Sequence, residues 1–555
     1  MSGQVDLQIR GTLVNVVSGN LEERTVSVEN GKIAGFSDRP AARTIETEYI
    51  TPGLINAHMH IEAAMVTVPQ YARAVLPHGV TCIIADPHEI GNVLGEDGVR
   101  GLLESAGNTS LKLRATVPSS VPASPYQDGG ASLGPDAVDR LLDLEAIVGL
   151  AEVMDIDAVV SGEPGIHEKI RAARKRGLTV DGHLPRVSGN RLDQAAEFLD
   201  TDHESIGFEE AKEKVKAGLR VQIREGSSSK NLDSLEPLVE EVDSRRLSLC
   251  TDNFYPDDLV EHGGIGRSIS RLISNGHDPV EAVQMGTINT AETYDLDCGR
   301  VAPGAPADLV LLNDLESWDV KHVVVDGVVD PEPEAVSELP GNITGDTVDI
   351  PPVSSDDLAH TDPADQGEEV RVRVIDHRNG QAGKMIATVP AHDGRLQPDV
   401  DADVLPVAVI GRHGNGGIGT GFVHGIGLNR GAMGGTIAHD AHNLVVVGAT
   451  HDAMARVSRH LGETRGGVAV YDPESDEIQD LPLPIAGLMT DWPVDRVADR
   501  IERLETTASR LGLDHRDGIS ALDNVSLEVI PQLRLTNEGL FDAEAMEYTS
   551  VVVRA

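Results

Sequence analysis

Cysteine is scarce in this chain. Its three copies, Cys82, Cys250 and Cys298, lie far apart with no paired spacing, which excludes a disulfide framework and a CxxC zinc site. Aromatic residues make up only 3% of the sequence, against 40% hydrophobic residues overall. The core therefore has to be built from Val, Ile, Leu and Ala. Basic residues are outnumbered 46 to 90, for a formal net charge of −44. That balance excludes nucleic acid as a partner, because a nucleic-acid site needs a basic face to neutralise phosphates. It equally excludes docking on an anionic membrane. The excess acid predicts a halophilic protein, soluble in concentrated salt where screening removes self-repulsion. No apolar run reaches the roughly 18 residues needed to cross a bilayer. The opening MSGQVDLQIRGT lacks a basic region followed by an apolar one, so no signal peptide is read there and a cytoplasmic location is expected.

What is present is organised in blocks. A chain of 555 residues is too long for one ordinary core, and two or three domains are expected. Residues 1–51 read as short strands, with a hairpin signal at Glu29-Asn30-Gly31. A similar stretch recurs at about 299–340, where GRVAPGAPADLVLLN is followed by VKHVVVDGVV. The two stretches bracket a long middle segment and are expected to pair into one β-sandwich. The middle, 52–298, carries short aliphatic runs: GVTCIIAD, LKLRATVP, AIVGLAEV, LTVDGHLP, LRVQIREG and LSLCTDN. Such runs fit buried parallel strands. Helix-like segments lie between several of them: VPQYARAVLPHG, IHEKIRAARKRG, RLDQAAEFLD and DSLEPLVEEVDSRR. Repeated strand–helix units over about 250 residues predict an α/β fold built on a (β/α)8 barrel. Residues 341–370 hold eight acids, no Lys or Arg, and Pro351, Pro352 and Pro363, which predicts an acidic linker or surface loop. A further α+β domain is expected over 371–555, with turn-forming glycines in GRHGNGGIGTGFVHGIGLNRGAMGG.

The chemistry concentrates at run ends. His58-Met59-His60 follows TPGLINA, and residues two apart on a strand project to the same face. Glu152 ends IVGLAE, His183 sits in TVDGH, His203 in DTDHE, and Asp252 ends LSLCTD. In a barrel the C-terminal strand ends converge on one face, where active sites are built. Buried charges need a partner, and a divalent cation supplies one to the whole set. The donors are His and carboxylate only, which suits Zn, Mn or Fe(II) without choosing among them. A carboxylate bridging at Glu152 could hold two ions and lower the pKa of a shared water, whose proton Asp252 is suited to take. Asp86, His88 and Glu89 follow the run TCIIA. They read either as an Asp-Pro turn opening a helix or as groups of the pocket. Arg224 and Glu225 end LRVQI and read as a surface ion pair or as pocket residues. His439, Asp440 and His442 form a second polar cluster, open between a metal site, structural hydrogen bonding and a pocket wall.

PGLINAHMHIE resembles the first-strand signature of the amidohydrolase superfamily. ADPHEIGNVLG, VGLAEVMD, DGHLP, TDHES, IREGSSSKNL, LCTD and PVEAVQMGTINTAE resemble successive blocks of the adenine deaminase family, as do HDAHNLVVVG and LPLPIAGLMTD further on. The resemblance implies a (β/α)8 barrel, a flanking β-sandwich and an extra C-terminal domain. It implies hydrolysis of adenine to hypoxanthine and ammonia, with a small purine base as partner and a homo-oligomer, a dimer in the simplest case. It places His58, His60, Glu152, His183, His203 and Asp252 as metal ligands, Glu152 at the position that many relatives fill with a carboxylated lysine, and Mn(II) or Fe(II) as the metal. It gives Asp86, His88, Glu89, Arg224 and Glu225 to the substrate, and to Asp252 and Glu89 a part in proton transfer.

Three departures from the family pattern stand out. Ala63 and Ala64 replace two serines, Asn253-Phe254-Tyr255 replaces an acid followed by a basic residue, and Gly411 replaces an acid before Arg412. The second lies beside Asp252 and leaves another aminopurine open as substrate. A non-catalytic purine-binding paralogue is the other alternative, although all six ligand positions are filled. The cytidine-deaminase arrangement, HxE with PCxxC, is excluded by the lack of any CxxC.

Overall fold

The computed structural model describes residues 4–107, 109–332, 339–361, 368–378, 383–514 and 518–554. The chain forms two compact units: Met1–His88, Leu102–Ser120 and Leu133–Glu338 make the first, and Glu89–Gly101, Val121–Ser132 and Leu339–Ala555 the second. The second unit thus takes two stretches, 89–101 and 121–132, from within the numbers expected for the barrel.

In the first unit the aliphatic runs become parallel strands. They are Leu54–His60, Val80–Ala85, Lys112–Pro118, Ile147–Val153, Thr179–Gly182, Thr201–Asp202, Arg220–Arg224 and Leu247–Cys250, paired in that order. Asp252–Asn253 continues the last strand and pairs in parallel with Met59 and His60 of the first, so the sheet returns on itself. This is the α/β barrel that the strand–helix alternation predicts. The runs are apolar throughout because a barrel strand is covered on both faces; Leu54–His60 and Ile147–Val153 are buried at every residue.

The sixth strand is the one that no aliphatic run marks. It has two residues, Thr201 and Asp202, both polar and buried. His203 therefore follows a polar strand rather than an aliphatic run. Asp202 is held by Lys214, whose wholly buried ammonium lies 2.9 Å from Asp202 Oδ2 and donates to Leu184 O at 2.6 Å. Leu184 N donates to Asp202 Oδ1 at 2.8 Å. A buried ion pair with all its partners thus fixes the residues that follow His183 and precede His203.

The outer helices obey local rules. Pro164–Lys175 starts at Glu163, whose carboxylate accepts from Ile166 N, has Pro at its first position, and ends in Arg174 and Lys175. It buries Ile166, Ile170 and Ala173 at helical spacing. DSLEPLVEE does not form one helix. It breaks into Leu232–Leu235 and Leu238–Glu241 around Pro237, which has no N–H to donate and clashes with the preceding turn.

The chain on either side of the barrel forms one continuous seven-stranded sheet. Ala41–Pro52 pairs antiparallel with Leu309–Asp314, Ile50 facing Leu311. Asn30 and Gly31, at φ 53° and 75°, make the hairpin turn that their left-handed preference predicts. Leu7, Ile9, Leu13, Val26, Val28, Ile50, Leu309 and Val324 give this sheet its own core.

The second unit is a nine-stranded sheet with helices His451–Glu463 and Val494–Arg510, plus a small sheet of Leu533–Thr536, Gly539–Asp542 and Glu547–Tyr548. The acidic stretch expected as a linker is partly packed here: Val353 and Leu358 lie in the core with Val446, Val457 and Leu461. Not all the glycines of the Gly-rich segment serve turns. Gly419 lies within the strand Ile418–His424, where a Cβ would come 1.9 Å from Thr536 O, so close approach of two backbones excludes any side chain. Among the described residues no helix is long and apolar enough to cross a membrane, and Cys82, Cys250 and Cys298 are free and buried.

Candidate metal centre

The barrel brings His58, His60, Glu152, His183, His203 and Asp252 to one place, at the C-terminal ends of strands one, four, five, six and eight. Glu152 is the hub. Its Oε1 lies 3.2 Å from His58 Nε2 and 3.2 Å from His60 Nε2. Its Oε2 lies 3.3 Å from His203 Nε2 and also contacts His183 Nδ1. The hydroxyls of Ser119 and Ser120 donate to the Glu152 carbonyl at 2.5 and 2.9 Å, which fixes the backbone that carries this carboxylate. Asp252 Oδ1 is 3.2 Å from His60 Nε2. His60 Nδ1 lies 3.0 Å from Asp86 O; a hydrogen on Nδ1 donated to that carbonyl leaves the Nε2 lone pair for a metal.

Asp252 is set by an unusual stretch of backbone. It takes φ 57°, a left-handed conformation that costs a non-glycine residue energy, though Asp less than most. Asn56 holds the residue before it at both ends: its Nδ2 donates to Thr251 Oγ1 at 2.7 Å, and Thr251 N donates to its Oδ1 at 3.1 Å. Arg224, buried, donates from Nη1 to Asp252 Oδ2 at 2.8 Å and also binds Glu204. Arg224 is thus the counter-ion of Asp252.

The electrostatics favour a cation. Burial works to raise Glu152, but His203 and His183 outweigh it and hold the carboxyl well below its ordinary value. Burial likewise opposes ionisation of Asp252, while the hydrogen bond from His60 and the charge of Arg224 hold it low. Burial disfavours the charged forms of His60 and His203, yet the facing carboxylates raise both well above the ordinary range. The Nε2 atoms of His58 and His203, which point at Glu152, are buried without a hydrogen bond. Ionised carboxylates among imidazoles, with ring nitrogens unmatched, form a donor set that a divalent cation satisfies in place of protons. The ligand atoms fall into overlapping groups, each within 4.8 Å: His58, Glu152 and His203; His58, His60 and Asp252; His183, His203 and Glu204; His60, Asp86, His88 and Glu152.

Asp86 and His88 reach the same place. His88 Nδ1 is 3.2 Å from Asp86 Oδ2 and 4.0 Å from Glu152 Oε1. Glu225 does not. Next to Arg224 on the strand, it projects to the other side, binding Arg271 and accepting from Leu232 N at 3.2 Å. Glu89 belongs to the second unit, buried, with Oε1 3.8 Å from His439 Nδ1. In that unit the His439 and His442 rings lie 5.7 Å apart and Asp440 Oδ1 is 3.9 Å from His439 Nδ1. Two residues of the centre escaped the sequence reading. Asp181 lies 3.5 Å from His58 Nδ1 and 3.8 Å from His203 Nδ1. Glu204 lies 3.9 Å from His183 Nδ1. Asp181 is two residues before His183, so strand alternation was the available signal.

Histidines and carboxylates gathered at the C-terminal face of a barrel form a donor set that could hold a metal ion, and residues 49–329 match the amidohydrolase family, which makes the chain a hydrolase of that class. Residues 382–547 match the adenine deaminase C-terminal domain. The chain is similar along nearly its whole length to curated adenine deaminases. It is 38% identical to that of Methanothermobacter thermautotrophicus over 98% of this chain and 99% of the relative. It is 39% identical to that of Desulfatibacillum aliphaticivorans over 97% and 95%, and 38% identical to that of Salinibacter ruber over 97% and 98%. The chain belongs to the adenine deaminase family.

Proposed function

We propose that this protein hydrolyses adenine to hypoxanthine and ammonia at a centre of two divalent cations, Mn(II) or Fe(II) in the cell. One observation carries the reading: the two oxygens of Glu152 face different pairs of histidines, within 3.2 Å of His58 and His60 on one side and beside His183 and His203 on the other. A carboxylate shared in this way suits two ions better than one. His58, His60, Asp252 and Glu152 Oε1 would hold the first, and His183, His203 and Glu152 Oε2 the second. When bound, such ions supply an activated water near neutral pH.

The remaining work falls to the protein. The amino group on C6 of adenine is a poor leaving group as an anion, so it needs a proton before it departs. Asp252, ionised and anchored by Arg224, takes the proton of the attacking water and delivers it to that nitrogen. Attack at C6 builds electron density on the ring nitrogens. His88, steadied by Asp86, is the group we assign to stabilise it. Glu89→Gln tests the part in proton transfer that the family resemblance gives Glu89; unchanged turnover would remove it. Three free buried cysteines accord with a reducing, cytoplasmic setting.

A second reading concerns only the substrate. Asn253, Phe254 and Tyr255 replace the charged pair beside Asp252, and Phe254 is buried, so the pocket could suit a different aminopurine. Ammonia release from a panel of adenine, guanine and 2,6-diaminopurine separates the two. Adenine should give the highest kcat/KM, and preference for another base would overturn the assignment. Tight adenine binding without turnover of any base would show a non-catalytic paralogue.

A further inference from the structure

We infer that Asp181 is a positioning residue that aims two histidines, His58 and His203, at the metal centre at once, so that one carboxylate governs both of its halves. The inference rests on the two-ion reading above and adds a residue that holds no ion itself.

The geometry is a stack between two carboxylates. The His58 and His203 rings lie face to face, 3.9 Å apart and 11° from parallel. On one side their Nε2 atoms meet opposite oxygens of Glu152, at 3.2 and 3.3 Å. On the other side their Nδ1 atoms face opposite oxygens of Asp181, at 3.5 Å for His58 and 3.8 Å for His203. Asp181 is wholly buried, a costly place for a carboxylate without a task. It is also held in place. Thr201, its register partner on the neighbouring strand, donates its hydroxyl to Oδ1. The Tyr294 hydroxyl lies 3.4 Å from Oδ2, and Gln222 Nε2 donates to the Tyr294 oxygen at 2.9 Å.

The consequence follows from imidazole chemistry. A neutral ring carries one N–H, and that hydrogen goes where an acceptor waits. Asp181 offers one oxygen to each Nδ1, so both rings present a lone pair at Nε2, toward Glu152. Carboxylate–histidine–metal triads work in this way for one ligand; here a single carboxylate serves two ligands, one in each half of the centre. An Asn at this position accepts from one ring only. Its amide NH2 meets the other ring with hydrogens, and that ring must turn or take the opposite tautomer, with a hydrogen at Nε2 where the ion belongs.

The test is metal binding, not turnover. Chelator-stripped protein is titrated with Mn(II) against a competing chelator, for the wild type, Asp181→Asn and Thr201→Val. The wild type should take two ions. Asp181→Asn should weaken at least one of them by about 10- to 100-fold, the range for a lost partner of a ligating histidine, while thermal unfolding of the metal-free protein changes little. Thr201→Val keeps the carboxylate but loosens its aim, so binding should weaken by less; it carries the test if Asp181→Asn fails to fold. A wild type that takes two ions, with either folded variant matching it at both, overturns the inference and leaves the metal centre standing. A wild type that takes no ion overturns the metal centre itself, and this inference with it.

Discussion

Replacing Asp252 with Asn separates shape from proton transfer. The amide keeps the size of the carboxyl, and its oxygen can still accept from Arg224 Nη1, now 2.8 Å from Asp252 Oδ2. The left-handed backbone at φ 57° suits Asn as well as Asp. The variant should therefore fold, with a melting temperature close to that of the wild type. It loses the ability to accept and release a proton. It also presents an uncharged group 3.2 Å from His60 Nε2, so the first ion should bind more weakly but still bind. General acid–base catalysis is worth about 10²- to 10⁴-fold in rate, or about 3–5 kcal/mol of barrier. At saturating Mn(II), kcat for ammonia release should fall by that factor, while KM, set by groups that the substitution leaves alone, changes much less. The assay is the ultraviolet change from adenine to hypoxanthine with metal content measured on the same sample. A fully loaded Asp252→Asn enzyme with kcat within about threefold of the wild type would refute the proton-transfer role, because no smaller loss fits that mechanism.

Other expectations follow from the same geometry. Asn56→Ala removes the grip on Thr251, leaves a buried N–H unmatched at a cost of about 1–3 kcal/mol, and frees Asp252 from its set backbone. Activity should fall at least about tenfold, and Asn56→Asp, which still accepts from Thr251 N and takes the Thr251 hydroxyl as a donor where the amide had donated to it, should recover most of it; loss of activity in both alike would count against the clamp. Mn(II) affinity should rise with pH. The carboxylates raise His60 and His203 in the metal-free state against the effect of burial, so protons compete for these rings until the pH passes those raised values; equal affinity at about pH 6 and pH 8 would contradict this. The net charge of −44 predicts that thermal stability falls on dilution of salt from about 1 M, where the screening length is about 3 Å, to 0.01 M, where it is about 30 Å. An unchanged melting temperature would remove the halophilic reading.

The barrel was legible because its strands are covered on both faces and read as aliphatic runs, and because a polar residue at the end of such a run is conspicuous. Thr201–Asp202 was not, since a two-residue strand held by an ion pair with Lys214 has no apolar pattern to show. Asp181 hid inside LTVDGH because the histidine at the end of the run is the more conspicuous metal-ligand type, although alternation puts both side chains on the same face. Arg224 and Glu225 could not be told apart by composition; only the strand's two faces send one to Asp252 and the other to Arg271. The second unit's claim on 89–101 and 121–132 depends on long-range packing, which no local pattern records. Val353 and Leu358 give no core signal of their own, because the surrounding acids and prolines dominate the composition of their segment.

The most direct test of the central claim is ammonia release from adenine by purified protein in concentrated salt, with Mn(II) supplied and with a chelated control. Turnover with Mn(II), lost on chelation and restored when the metal returns, is the predicted result. A folded, metal-loaded protein that releases no ammonia from adenine, or one whose turnover survives complete removal of metal, would contradict it.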